Sequence, residues 1–224
     1  MKIGELDLEA LERLTEPDLD NKTGFNVFRT VHNFNARQTA SLERRQQINP
    51  ENLGYKVALL GIYQFKYWKE KKAEERAKLV DLLCWFIENY PTYSLTSHAS
   101  INDYDISDFR KMKRAWLKQV RLNPENSKVV YSAAYFCREQ DINAAEKLLL
   151  QGKHLDDSCL WSFALLELYV KRLGNPRMKK SALEKALQEW PELVARLERG
   201  GKVYPAFTSL ATILKMQKRI NEEL

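Results

Sequence analysis

The side chains best suited to chemistry are scattered along this chain of 224 residues. Its three histidines, His32, His98 and His154, lie far apart, and none belongs to a metal-ligand spacing such as His-Glu-x-x-His or Cys-x-x-Cys. No glycine-rich loop is placed to hold a phosphate, and there is no nucleophile elbow. The sequence therefore predicts no catalytic residues, no metal and no cofactor.

One polar segment keeps an enzymatic alternative open. Between residues 92 and 106, His98 lies close in sequence to Ser97, Asp103 and Asp105, a set that an irregular loop could assemble for acid–base chemistry. The segment lacks apolar periodicity, so we expect a short, poor helix followed by a loop. Any polar loop of this length offers similar groups, so a chemical role for it stays an alternative.

A repeated tetrapeptide organises the rest of the chain. Asn49-Pro50-Glu51-Asn52 returns as Asn123-Pro124-Glu125-Asn126, each time after an aliphatic residue that closes an amphipathic stretch. With further breaks at residues 91, 157 and 191, the steps are 41, 33, 33 and 34 residues. A period near 34 without strand signals is typical of a helical solenoid. We therefore predict an all-α fold, a right-handed α-α superhelix of antiparallel helix pairs.

The breaks also predict where the helices lie. Proline disfavours helix for the residue before it and suits the first helical turn, so each break should end one helix and begin the next. We expect Ser107 and Asp108 to cap a helix, and Lys56, Lys66 and Lys69 to form the solvated edges of another. The expected helices begin near residue 24 and then span roughly 36–48, 53–68, 72–89, 107–121, 127–138, 142–154, 159–173, 177–189 and 206–222.

Charge and composition suggest three regions in one continuous domain. The net charge is +6, but residues 1–20 hold two basic against seven acidic residues. We predict an acidic leader over 1–23, helical repeats over 24–200 and a capping helix over 201–224. The leader either covers a basic surface or forms an amphipathic helix whose leucines, Leu8, Leu11 and Leu14, cap the stack.

The location of the protein is predicted from what its sequence lacks. There is no secretory signal and no apolar run of the roughly 18 residues that a membrane span requires. The three cysteines, Cys84, Cys137 and Cys159, are an odd number without Cys-x-x-Cys spacing, and each falls in an apolar helical pattern. We expect a soluble, cytoplasmic protein with buried thiols.

The segment from Asn126 to Ser158 resembles a tetratricopeptide repeat, a family of helical interaction repeats. Its pattern places small residues where paired helices cross closely and bulky residues where repeats interlock. The matching positions are Val129, Ser132, Ala133, Phe136, Ala145, Leu149 and Gly152, with Asp157 in place of the usual proline. Fragments recur as Val57, Leu60 and Gly61, and as Trp161, Ala164, Leu165 and Leu168. A prenyltransferase-α-like superhelix, the helical subunit of an enzyme, is the alternative.

The resemblance implies a binding groove. In such stacks the first helix of each pair lines the concave face, which here would present Tyr55, Ala58, Ile62, Phe65, Val130, Ala134, Arg138, Ser162, Leu166 and Tyr169. Val130 and Ala134 cannot supply the donors of the family's clamp for carboxylates. An apolar groove favours a peptide or an amphipathic helix, including a terminal helix of this chain. The predicted function is a non-catalytic scaffold or adaptor with a protein partner.

A basic stripe supports a second hypothesis. Arg110, Arg114, Lys118 and Arg121 are spaced four, four and three residues apart and so share one helix face. Such a stripe on the convex side could follow a phosphate backbone and make the protein a nucleic-acid-associated adaptor. A solvated face of a basic protein is the simpler explanation.

Overall fold

The computed structural model describes residues 11–15, 22–31, 34–93, 96, 105–198 and 210–223. Regular secondary structure in these ranges is entirely helical, which confirms the all-α prediction for them, and neighbouring helices pack in pairs. The helices are α1 (Lys22–Thr30), α2 (Ala36–Ile48), α3 (Leu53–Glu70), α4 (Ala73–Asn89), α5 (Ile106–Leu122), α6 (Ser127–Cys137), α7 (Ile142–Lys153), α8 (Cys159–Arg172), α9 (Lys179–Glu198) and α10 (Leu210–Asn221).

The repeated tetrapeptide acts through its second asparagine. The Asn52 side chain accepts a hydrogen bond from the Tyr55 backbone N–H at 2.9 Å, and Asn126 accepts one from Val129 at 3.3 Å. Each therefore satisfies a backbone donor that the first turn of α3 or α6 leaves unpaired. Asn49 ends the preceding helix, with its N–H bonded to the carbonyl of Arg45. One helix ends and the next begins within four residues, as predicted.

Two predicted helix limits are wrong. The helix expected to end at residue 189 continues through Pro191 to Glu198. Proline removes only the N–H that would bond to Leu187, and both residues are exposed, so water can satisfy that carbonyl. At the start of α5, the cap is Asp105, whose carboxylate accepts from the Ser107 N–H at 2.6 Å; Ser107 and Asp108 already belong to the first turn.

The chain divides into two compact units, residues 1–119 and 120–224, with the boundary inside α5. In the first unit α3 packs against α1, α2 and α4, and its residues 53 to 63 are all buried. Gly54 permits the closest approach, since a Cβ there would lie 1.8 Å from the carbonyl oxygen of Leu11. Because α3 is buried on several sides, its side chains fill the core of this unit.

Lys56 is buried, although it was predicted to be solvated. Only 4% of the residue is exposed, and its ammonium lies 3.7 Å from the centroid of the Trp85 ring. It also donates to the carbonyl of Pro50. The aromatic face and the carbonyl replace part of the hydration that a buried ammonium loses. Burial nevertheless lowers the pKa of Lys56, with Glu51 acting in the opposite direction.

The described part of the predicted leader lies against the first unit. Leu11 is fully buried and Leu14 is 8% exposed, which is the placement expected of a capping segment. The Glu12 carboxylate accepts a hydrogen bond from Arg45 at 2.9 Å and another from the Tyr55 hydroxyl. Leu8, residues 1–10 and 16–21, the segments 94–95 and 97–104, and the predicted break at Gly200 and Gly201 lie outside the described residues.

The second unit consists of two successive helix pairs and a terminal helix. α6 packs on α7, α7 on α8 and α8 on α9, while α10 contacts both α8 and α9. The small residues of the predicted repeat are buried: Ala133 and Ala145 are fully inaccessible. A Cβ on Gly152 would lie 2.1 Å from the ring of Trp161, which is 1% exposed. At Gly152, one small-residue position of the predicted repeat, α7 and α8 therefore approach closely.

We expect Gly152→Ala to lower the free energy of unfolding by about 1–3 kcal/mol, because the Trp161 ring is packed and must move to accept a methyl group. Gly174→Ala is the matched control, since Gly174 is exposed and its nearest atom would lie 3.7 Å from the new Cβ. The control should change stability by no more than about 1 kcal/mol. Urea unfolding followed by tryptophan fluorescence measures both; equal losses would contradict the close-packing argument.

Candidate functional site

Most residues of the predicted groove are buried within their own units. Tyr55, Ala58, Ile62, Val130, Ala134, Ser162, Leu166 and Tyr169 are each at most 4% exposed. Phe65 and Arg138 are half-buried. The reason is that α3 and α8 are apolar on several sides, and neighbouring segments cover the side expected to face a ligand. Of these eight, only Ala134 also lines the open pocket between α6 and α8. A ligand contact with the other seven stays a prediction, and would require a neighbouring segment to move.

Tyr169 is held inside the second unit by a buried charge cluster. Its hydroxyl donates to Glu146 at 3.1 Å. The same carboxylate accepts from Arg172 at 2.7 Å and from Lys185 at 2.6 Å, so α7, α8 and α9 meet at this one side chain. Arg172 is 5% exposed and also donates to Asn143 at 3.1 Å. Arg172 and Lys185 lie 26 and 39 residues from Glu146 in the sequence, so no local pattern predicted this cluster.

A pocket opens between α6 and α8 in the second unit. Its volume is about 230 Å³. Its walls come from one face of α6 with Arg138 and Glu139 directly after that helix, from one face of α8, and from one residue of α7. The α6 and α8 residues each follow the i, i+3, i+4, i+7 pattern of a helix face, and the two sets are 33 positions apart. The lining residues are Tyr131, Ala134, Tyr135, Arg138, Leu149, Glu139, Ala164, Glu167, Leu168 and Lys171.

The interior of the pocket is apolar and aromatic. Ala134 and Ala164 are small, so they leave space between the two helices, and Leu149 and Leu168 add aliphatic surface. The Tyr131 and Tyr135 rings lie with their centroids 6.3 Å apart at 34°. Tyr131 also forms a T-shaped pair with Trp161, with the ring centroids 5.7 Å apart. These aromatic contacts hold Tyr131 in place within the wall.

Four charged side chains form the rim. Arg138 lies 3.7 Å from the centroid of Tyr135, and its Nε lies 3.4 Å from Glu139. Lys171 donates to the other oxygen of Glu139. Arg138 approaches Glu167 only at 4.0 Å. Glu139 thus draws both cations toward itself, while Glu167 keeps one distant cation.

The pocket changes the acidity of two of its groups. Burial raises the pKa of Glu167, although the Arg138 charge acts in the opposite direction. Burial also raises the pKa of Tyr131 to about 12, with the Glu167 charge as the next cause. Both shifts follow from the partial burial of these side chains in the pocket wall.

Only two pocket residues, Ala134 and Arg138, were among the predicted groove residues. The other lining residues were missed because the groove was placed one helical position away from the face that the pocket uses. The sequence carried a usable signal: residues 131, 134, 135 and 138 recur 33 positions later on the next helix of the same kind. That distance equals the predicted repeat step between residues 124 and 157.

The basic stripe lies on the surface of α5. Arg110, Arg114, Lys118 and Arg121 are all exposed, the first three in the first unit and Arg121 in the second. Lys118 lies 3.9 Å from Glu88, which is a weak ion pair. The stripe therefore has the exposure that the nucleic-acid hypothesis requires.

The described residues hold no group of three or more His, Cys, Asp or Glu side chains that could bind a metal ion. His154 is exposed at the end of α7, while His32, His98, Ser97 and Asp103 lie outside the described residues. The three cysteines are buried thiols, as expected. None of the helices within the described ranges is long and apolar enough to cross a membrane.

Comparisons of the chain with protein-family models, curated proteins and solved structures find no match. The resemblance to tetratricopeptide repeats therefore remains a prediction from the sequence.

We expect Glu146→Gln to lower the free energy of unfolding by about 3 kcal/mol at pH 7, because it leaves the buried Arg172 without its counter-charge. Burial acts to raise the pKa of Glu146, but Lys185 and Arg172 outweigh it and the pKa is lowered. This contribution to stability is therefore present above the ordinary glutamate pKa and is lost as pH falls through the lower, folded-state value.

Urea unfolding of wild type and Glu146→Gln at several pH values checks this prediction. The difference between them should shrink as the solution is acidified below about pH 4. Glu184→Gln, at an exposed position of α9, is the control and should cost less than about 0.5 kcal/mol at every pH. A difference that stays constant with pH would show that the charge of Glu146 does not stabilise the fold.

Proposed function

We propose that this chain is a non-catalytic interaction protein, a right-handed superhelix of tetratricopeptide-like helix pairs that binds an extended segment of a partner protein. The observation that carries the proposal is the pocket between α6 and α8, with its apolar interior and charged rim. It lies between the first helices of two successive pairs, which is where the predicted repeat architecture places a ligand groove.

The size and lining of the pocket favour a peptide. Its volume of about 230 Å³ is below the roughly 300–1,000 Å³ of small-molecule sites, so it suits one side chain of a longer ligand. No histidine, serine or cysteine lines it, and its carboxylates Glu139 and Glu167 are rim groups near cations. These features support a binding role over a chemical one.

An extended segment fits this pocket better than a helix. A helix bound in a groove needs several anchors on one face, at i, i+3, i+4 and i+7, and therefore a long apolar trough. Most side chains of the predicted groove are buried in the units, and the apolar lining of the pocket is confined to one short stretch between α6 and α8. A single anchor residue, with polar rim contacts on either side of it, fits that geometry.

We expect Ala164→Leu to weaken peptide binding at least tenfold, because the larger side chain fills the space between α6 and α8. Peptides are first selected on the wild-type full chain from a displayed library of short sequences. Their affinities for wild type, expected near 1–100 μM, and for the variant are then measured by fluorescence anisotropy.

Ala77→Leu is the matched control, since Ala77 is exposed on α4 in the first unit. Selected peptides should bind this variant as they bind wild type. If all of them also bind Ala164→Leu unchanged while its fold is intact by circular dichroism, the pocket is not the ligand site.

The exposed stripe on α5 favours one second candidate, an adaptor that contacts nucleic acid. Its arginine and lysine side chains are exposed and spaced along one helix face, so they can approach successive phosphates. Trp116, the nearest tryptophan in sequence, is fully buried and cannot stack on bases. Binding through the stripe would therefore depend on charge and would fall steeply with salt.

We expect the double reversal Arg114→Glu with Lys118→Glu to abolish binding of a duplex oligonucleotide if the stripe is a phosphate site, and to leave pocket peptides bound. The control reversal, Lys128→Glu with Lys147→Glu, changes the net charge equally at exposed positions of α6 and α7. Titration at increasing salt measures both. Equal losses for the two reversals would indicate general attraction to a basic protein and would exclude a specific stripe.

A further inference from the structure

Glu167 is the least satisfied charge in the pocket. Its carboxylate has one cation nearby, Arg138, at the long distance of 4.0 Å. Among the described residues no side chain donates a hydrogen bond to it, and about 40% of its side chain is exposed. A ligand that enters the pocket displaces water from this carboxylate, so the complex is stabilised when the ligand brings a hydrogen-bond donor in place of that water.

The cations of the rim are already engaged elsewhere. Glu139 attracts Lys171 through one oxygen and Arg138 through the other, and the Arg138 guanidinium also stacks on Tyr135. Drawing Arg138 fully onto Glu167 would cost it these two contacts. Glu167 therefore has no close cation, whereas Lys171 and Arg138 are already paired with the Glu139 carboxylate.

From this arrangement, and resting on the proposed function, we infer that the pocket receives a lysine or arginine side chain of the partner segment. The aliphatic stem lies between the two helices against Ala134, Ala164 and Leu168, and the cationic head meets the Glu167 carboxylate. The partner is thus a segment with a basic anchor residue.

The two alternative anchors fit the pocket less well. An acidic side chain would bring its charge between Glu139 and Glu167, and its only donors would be cations that Glu139 already holds. A purely apolar side chain would fill the space between α6 and α8 but would remove water from Glu167 without replacing its hydrogen bonds. A basic side chain alone combines an apolar stem with a donor head.

The acidity of the pocket groups agrees with this geometry. Burial raises the pKa of Glu167 and also that of Tyr131, where the Glu167 charge contributes next. A bound cation would act on both groups in the opposite direction, because it stabilises the charged form of each. Binding of a basic side chain would therefore return the Glu167 pKa toward its ordinary value.

The test titrates three blocked amino acids into the ¹⁵N-labelled full chain and follows its amide resonances. The probes are the N-acetyl methylamides of lysine, norleucine and glutamate, which compare a cationic, an apolar and an anionic side chain of similar reach. The lysine probe should shift the amides of Ala134, Arg138, Ala164 and Leu168 with a dissociation constant on the order of 10 mM. The norleucine probe should bind about fivefold more weakly.

Two variants separate the charge of Glu167 from charge in general. Glu167→Gln should remove the preference for lysine over norleucine, while Glu184→Gln, which deletes the same charge at an exposed site on α9, should retain it. Raising the salt concentration should reduce the preference only in proteins that keep Glu167. All three proteins are compared at the same pH.

Each other outcome overturns the inference. The inference fails if norleucine or glutamate shifts the pocket amides as tightly as lysine, if Glu167→Gln keeps the lysine preference, or if the lysine probe shifts no pocket amide at about 50 mM. If one of these failures occurs but the selected peptides still bind Ala164→Leu more weakly than wild type, only the basic-anchor inference is lost and the peptide-binding function stands. When neither probes nor peptides respond to the pocket, both proposals are wrong.

Discussion

In each unit, one helix has apolar side chains around most of its circumference and determines how the unit packs. This helix is α3 in the first unit and α8 in the second. In α3, residues 53 to 63 are all buried, and in α8 only Lys171 is exposed. Such helices cannot lie on a surface, so several neighbours must cover each of them. α1, α2, α4 and the segment at Leu11 cover α3, while α7, α9 and α10 cover α8. The pocket beside α8 exists because this cover is incomplete along the side that faces α6.

Local signals predicted the helices well because the controlling interactions are local. The span 36–48 agrees with α2, and the asparagine caps of α3 and α6 act within three residues of the chain. The small residues of the predicted repeat were also readable, since Ala133, Ala145 and Gly152 match a known spacing and are buried. The end of α9 was not readable from the sequence. Water can replace the hydrogen bond that Pro191 removes, so the helix continues through this residue.

The pocket and the buried ions required tertiary information. When a helix is apolar on nearly all sides, the face that stays open depends on how far the neighbouring helices extend. Hydrophobic periodicity in the sequence gives no information about that extent. The predicted groove therefore fell on the buried Val130, Ser162 and Leu166, while the pocket uses Tyr131, Ala164 and Glu167. No local sequence pattern distinguishes Glu146 and Arg172 from solvated charges. Only the fold brings them to 2.7 Å and makes their pairing a condition of burial.

The buried cysteines can report on the local unfolding of the unit that contains them. Cys84 belongs to the first unit, and Cys137 and Cys159 belong to the second. Burial raises the pKa of Cys84 to about 11 and also raises that of Cys159, so the reactive thiolate is scarce in the folded state. A thiol reagent therefore modifies these positions when the surrounding helices separate. The order in which they react records which unit unfolds first, without any engineered label.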